Sequence, residues 1–238
     1  MPIEKVFGSF AEAVADVPDG AVVMIDGFGG PGGMPSHLIQ ALRDQGAKKL
    51  TVITNSAGLP GFGAKQGQEV INTSVLFANK QVRKVLASFP VPRSPSVVSD
   101  FQKAWQAGEV ELEVVPQGTL AERIRAGGAG IPAFYTPTAV GTKLAEGKEL
   151  REFDGRSYVL ERGLTADYAL ICGHKADRAG NLIYQGSSRN FNPVMAAAAR
   201  VTIVEVDEIV EVGDLDPEAV VTPALFVQRI VKRPKEAS

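Results

Sequence analysis

Ile25-Asp26-Gly27-Phe28-Gly29-Gly30-Pro31-Gly32-Gly33-Met34-Pro35 is the stretch whose reading decides the fold. The apolar residues 21–25 lead into it, and residues 36–45 lead out, with Leu38, Ile39 and Leu42 on one helical face. That order predicts a buried strand, a glycine-dense loop and an amphipathic helix. Pro35 suits the first turn of that helix and Gly46 the position just past its end. Residues 50–54 then read as a second strand, so the unit is a βαβ crossover between parallel neighbours. The predicted fold class is α/β, an open, mainly parallel sheet flanked by helices. A glycine loop at such a junction brings bare backbone N–H groups to a ligand at the positive end of a helix. It can hold a phosphate, a thioester oxygen or another anionic group.

Gly27, Gly29 and Gly32 spell G-x-G-x-x-G, the spacing of a dinucleotide-binding turn. That chemistry needs an acidic residue at the end of the second strand to hold a ribose. Here the strand ends in Thr54-Asn55-Ser56, without a carboxylate, and Pro31 removes one N–H donor from the loop. No Gly-Lys-Ser/Thr follows, which excludes a P-loop. A tight connection with no ligand is the remaining plain reading. Five glycines within seven residues argue against it, because each costs chain entropy that packing alone does not offset.

Working outward, residues 7–17 show helical spacing before the turn Pro18-Asp19-Gly20. Residues 82–88 and 112–115 read as strands, with a helix over 98–107 between them. Thr119 and Glu122 have capping-box spacing for a helix over 120–126. Residues 127–142 are too broken by Gly and Pro for regular structure and too apolar for a solvated loop, so they predict a functional loop. Residues 158–160, 168–172 and 201–206 read as strands, 177–181 as a turn, 193–199 as a helix, and 222–230 as a last helix or turn.

A chain of 238 residues with no linker or repeat is expected to form one domain over 1–238. A net charge of −2 argues against a nucleic-acid partner. Cys172 is the only cysteine, so no internal disulfide forms, and it reads as a small core hydrophobe. His37 and His174 are too few and too separated to suggest a metal site, and each reads as a surface histidine. No run approaches a bilayer span and no signal-peptide pattern opens the sequence, so no membrane partner is expected and the cytoplasm is the expected compartment.

Several segments then match one family in order. Residues 26–35 resemble the signature of the alpha chains of family I CoA-transferases, and residues 50–58 are similar to the strand and turn that follow it there. The strongest match runs Pro116-Gln117-Gly118-Thr119-Leu120-Ala121-Glu122-Arg123-Ile124-Arg125 and on through Phe134-Tyr135-Thr136-Pro137-Thr138. Ala176 to Asn181 and Ser188-Arg189-Asn190-Phe191-Asn192-Pro193 extend it. The resemblance implies an enzyme of two subunits, alpha and beta, that moves CoA from an acyl-CoA, such as succinyl-CoA, to a 3-oxoacid such as acetoacetate or 3-oxoadipate. It implies a nucleophilic Glu in the beta subunit, within a Ser-Glu-Asn-Gly type motif. No Glu here has that motif, and Glu146-Gly147 reads as a solvated turn. The chain is therefore expected to carry no catalytic residue, no metal and no cofactor, with CoA entering as substrate. Its binding residues are expected to be the loop positions Gly27, Phe28, Gly29, Gly30, Gly32 and Gly33, with the Asn55 side chain as a further donor. Phe134 and Tyr135 are expected to form an apolar wall that keeps water from hydrolysable intermediates. Arg189 and Asn190 are expected to brace the active-site loops or a subunit interface.

The departures are local. The family usually has two glycines before the Phe, and the first is Asp26 here. The loop is one residue longer before Pro35, residues 57–89 are longer than in relatives, and Gln185-Gly186 replaces a basic or polar pair. Ser88-Phe89-Pro90 looks more like the chains that act on 3-oxoadipate, and Arg93 would then meet a distal carboxylate, although a solvated charge is the plainer reading. Two rivals remain: a non-catalytic protein binding an acyl-CoA or a sugar phosphate, and a sugar-phosphate isomerase using Asp26 as its acid or base.

Overall fold

The computed structural model describes residues 4–28, 32–59, 71–92, 94 and 96–234. The chain opens with α1 (Phe10–Val14), β1 (Val22–Ile25), α2 (Ser36–Gln45) and β2 (Leu50–Ser56). It continues through α3 (Ser74–Ala78), β3 (Val82–Phe89), α4 (Asp100–Gln106), β4 (Glu111–Val114), α5 (Gln117–Gly128) and β5 (Ala133–Thr136). Then come β6 (Leu150–Phe153), β7 (Arg156–Arg162), β8 (Ala166–Asp177), β9 (Leu182–Ile183), α6 (Asn192–Ala198), β10 (Ala199–Val210) and β11 (Arg229–Lys232).

The main sheet has the strand order β11-β10-β8-β1-β2-β3-β4, with every neighbouring pair parallel. Among the described residues of this sheet, the short β9 is the strand that pairs antiparallel, on β8. The predicted crossover is present: Val22 to Ile25 pair with Thr51 to Thr54 around α2, and Gly46 closes that helix in the left-handed region at φ 87°. The central strands are apolar on both faces because both are covered. Val23 and Ile25 point to the side packed by α1 to α4, where Leu38, Leu42, Leu76 and Phe101 sit. Met24 points to the opposite side, against Leu120 and Ile124 of α5 and Met195 of α6. No helix among the described residues is long and apolar enough to cross a membrane.

Four sequence readings change. The first helix covers only Phe10–Val14, started by the Ser9 side chain accepting from Glu12 N–H. Thr119 is not a cap: α5 begins two residues earlier behind Pro116, Thr119 is buried inside it, and Glu122 pairs with Arg125 at 2.6 Å instead. Residues 127–142 are not an irregular loop. α5 runs to Gly128, and β5 joins β7 and β6 in a second, three-stranded antiparallel sheet. Prolines and glycines break the run at its ends, while Ala133 to Thr136 alternate between faces as a strand requires. The last segment makes only a short 3-10 turn, Ala224–Phe226, before β11, which pairs parallel with β10 at the sheet edge.

Candidate active site

Asp26 and the glycine loop leave the carboxyl end of β1, the edge where open α/β sheets bind ligands. Gly27 has φ 128°, and a Cβ there would stand 2.7 Å from Met34 Cβ. Gly33 has φ 76°, and its Cβ would stand 2.2 Å from the carbonyl oxygen of Ser188. Glycine is required at both places by the closeness of the chain packed over them. Gly29, Gly30 and Arg93 lie outside the described residues.

A second segment clamps the loop from the side. Asn190 Nδ2 donates to the Gly32 carbonyl at 2.6 Å, and Asn192 Nδ2 to the Gly33 carbonyl at 3.3 Å. Asn192 is fully buried, and its Oδ1 also accepts from the Cys172 N–H at 2.9 Å, tying β8 to the same point. The rings of Phe28 and Phe191 meet edge to face at 4.7 Å. Asn190 takes φ 44°, an uncommon conformation for a residue with a side chain, held by this packing. The expectation that this motif braces the loop thus has a geometry, carried by Asn190 and Asn192. Arg189 adds its carbonyl, 3.1 Å from Asn192 Nδ2.

The helix behind the loop does not present a free anion site. Pro35 gives α2 no side-chain cap. Glu205 of β10 reaches across instead, its Oε2 accepting from Leu38 N–H at 2.9 Å and its Oε1 lying 3.4 Å from His37 Nδ1. Arg233 Nη1 is 3.9 Å from the same carboxylate. The positive end of the helix is filled from within, which corrects the expectation that a ligand anion sits there. His37 is not a bare surface residue, since its ring also stacks on Phe10 at 5.1 Å. What remains for a ligand is the loop ahead of the helix and the strand ends beside it.

Those ends carry a polar row. Ile25 pairs with Thr54 and Thr54 with Ala87, and Ser56 pairs with Phe89, so the next residues on the three strands, Asp26, Asn55 and Ser88, fall side by side. They follow Met24, Ile53 and Leu86 by two and share the face covered by α5 and α6. Asn55 Oδ1 accepts from Gln117 Nε2 at 2.8 Å, so Gln117 at the start of α5 sets which way the amide faces. Ser88 Oγ is buried with no hydrogen-bond partner, as are both carboxyl oxygens of Asp26. Asp26 is 1% exposed, and burial pushes its carboxyl up to about 8. The nearby backbone amides of Gly27, Phe191 and Asn192 pull the other way without offsetting it.

Phe134 and Tyr135 stand on β5, in the small sheet. Tyr135 packs on Phe153 at 5.3 Å and its hydroxyl bonds Glu149, and no contact among the described residues joins either aromatic to the glycine loop. Gln117 and Ser88 entered the sequence reading only as members of matched stretches, not as site residues, and Glu205 was not singled out at all. Glu205 had a signal: it is the one charged residue in the buried run Val-Thr-Ile-Val-Glu-Val, and a carboxylate there must be paired. Cys172 is buried as expected, and desolvation pushes its thiol up to about 12. His174, at the surface, sits 2.9 Å from Asp207.

The fold and this edge define a class: a mainly parallel α/β chain with a braced glycine loop and neutral donors at the strand ends. The chain belongs to the coenzyme A transferase family, whose model, described as Coenzyme A transferase, matches residues 7–233. It is 52% identical to one subunit, the one designated A, of the 3-oxoadipate CoA-transferase of Pseudomonas putida, over 96% of this chain and 94% of that one. It is 45% identical to a mitochondrial succinyl-CoA:3-ketoacid coenzyme A transferase 2A of Mus musculus, over 94% of this chain but only 44% of the mouse protein. An acyl-CoA transferase from Escherichia coli O157:H7, solved as a thioester complex with CoA, shares the fold with a TM-score of 0.80 at 22% identity, covering 98% of this chain and 50% of that one.

Proposed function

We propose that this chain is the alpha subunit of a two-chain, cytoplasmic 3-oxoacid CoA-transferase, built as one domain over 1–238. With a beta subunit that supplies the nucleophilic glutamate, it moves CoA from an acyl-CoA such as succinyl-CoA to 3-oxoadipate or acetoacetate. The observation that carries this reading is Asp26: the carboxyl next to the loop is buried and not presented at the surface, which favours a nucleophile supplied by a partner chain. The length of the mouse relative supports it, since over half of that protein lies outside the match.

The chemistry explains the division of labour. The partner's carboxylate attacks the thioester carbonyl, and CoA leaves as a thiolate, giving an acyl-glutamyl anhydride. The thiolate then attacks the glutamyl carbonyl, releasing the free acid and leaving a glutamyl thioester. The acceptor acid runs the same two steps in reverse. Each tetrahedral intermediate carries one negative charge, which neutral donors at fixed positions stabilise. This chain supplies them from the amides of the loop, at Gly27, Phe28, Gly32 and Gly33, and from the Asn55 amide nitrogen, whose oxygen is engaged by Gln117. A single such donor is typically worth about 3 kcal/mol. Gly29 and Gly30 belong to the same set on this reading, and Phe134 and Tyr135 would screen the site only from across the small sheet.

The test is reconstitution. The chain is purified alone and with a partner chain bearing a Ser-Glu-Asn-Gly type motif, and CoA transfer from succinyl-CoA to 3-oxoadipate and to acetoacetate is followed. Transfer is expected only from the pair. Turnover by this chain alone, or none by the pair with any 3-oxoacid, overturns the reading.

A further inference from the structure

Asp26 is a carboxylic acid where the resembled family usually has glycine, and it lies directly before Gly27. Its side chain is buried between the end of β1 and the start of α6, with the N–H groups of Gly27, Phe191 and Asn192 nearby and a hydrogen bond to none. A buried ionised carboxylate without partners is costly, whereas its neutral acid is tolerated. The three amides that surround it belong to the two arms of the clamp: Gly27 opens the loop, and Phe191 and Asn192 hold it.

We propose that Asp26 is a positioning residue for the glycine loop: its neutral carboxyl fills the space beneath Gly27, and the clamp of residues 188–192 on Gly32 and Gly33 holds its geometry only while that proton is in place. Once ionised, the carboxylate draws in the N–H groups that already face it, and that pull strains the Phe191 contact with Phe28 and the Asn192 bond to the Gly33 carbonyl. Burial places the change at a pH of about 8. The titratable groups facing Asp26 are Cys172 on β8 and Tyr184 beyond β9, both pushed up by burial. They stay uncharged as Asp26 titrates. The further charges around them are Arg189 near Tyr184, and Glu205, Asp207 and Arg233 near Cys172.

The proposal rests on the transferase reading only for its kinetic consequence, so the experiment has two arms. In the first, backbone hydrogen exchange of Gly27, Phe28, Gly32 and Gly33 is measured on the chain from pH 6 to 10, corrected for intrinsic rates. Protection is expected to fall about tenfold or more through pH 8, and to stay flat in Asp26→Asn. Asp26→Gly, which restores the family's usual residue, is expected to be flat too and serves if the Asn variant does not fold. In the second arm, the reconstituted pair should show a KM for acyl-CoA that rises severalfold from pH 7 to 9, lost in both variants. Equal pH dependence of protection in wild type and variants overturns the proposal. Absence of transfer at every pH, with the exchange transition intact, overturns the transferase reading and leaves this one standing.

Discussion

Asp26 and Glu205 are both buried carboxyl side chains, one before the glycine loop and one at the helix that follows it, at 1% and 0% exposure. Their surroundings are opposite. Glu205 accepts from Leu38 N–H, lies against His37 and feels Arg233, so it serves as the anion at the helix end. Asp26 has neighbours but no hydrogen bond. Burial alone thus does not settle a carboxyl's role; the donors in reach do. The paired carboxylate fills the helix end, and the unpaired acid lies beside the loop with no partner of its own.

The largest effect that would break this picture is at the clamp itself. Gly33→Ala puts a methyl against the Ser188 carbonyl in a left-handed backbone and should cost about 2–4 kcal/mol. Gly46→Ala has the same kind of φ but open space, and should cost only about 1 kcal/mol. Thermal unfolding of the two separates crowding from backbone strain; equal losses would mean that the clamp is loose. Next is Glu205→Ala, which leaves the buried Leu38 N–H without an acceptor and removes the charge that favours the helix end. The expected loss is about 2–3 kcal/mol, read as a lower denaturant midpoint at unchanged slope.

Asp26→Asn should move stability the other way, by an amount set by pH. The wild-type group has its carboxyl raised from 3.8 to about 8, so the folded chain takes up a proton on folding between those values. Its contribution is most favourable at or below the unfolded value, declines as pH rises toward the folded value, and levels off beyond it. The Asn variant lacks this dependence. Its advantage should be near zero at acid pH and grow to about 1–2 kcal/mol by pH 8, less than the full shift because buried sites relax. Unfolding curves at several pH values check it, and a constant difference would mean that Asp26 ionises normally.

The contrast between the two carboxyls also marks what the sequence could show. The βαβ unit was legible because Leu38, Ile39 and Leu42 repeat on one face and Gly46 closes the helix, both local signals. The clamp lay in a segment matched as a motif, but the pairing of Asn190 with Gly32 spans 158 positions, and no local pattern encodes it. Residues 127–142 misled for a related reason: β5 is four residues long and stable only through β7, so its own propensity is weak. Thr119 and Glu122 satisfied a capping pattern that Pro116 had already pre-empted by starting the helix earlier.

The smallest effect on stability tests the polar row. Gln117→Ala removes one hydrogen bond, from a half-buried side chain at the start of α5, and should cost no more than about 1 kcal/mol. Its effect on the reaction should be larger in proportion. Without Gln117 Nε2, nothing fixes which end of the Asn55 amide faces the site, and an amide that turns its oxygen inward repels the developing negative charge instead of donating to it. A fall of about tenfold in kcat, with KM for acyl-CoA little changed, corresponds to roughly 1.4 kcal/mol of lost transition-state stabilisation. Asn55→Ala should lose at least as much, and the double variant no more than Asn55→Ala alone, because Gln117 acts only through Asn55. Additive losses in that cycle would place Gln117 on the substrate directly and break the parallel with Glu205, a residue that works by holding a neighbour in place.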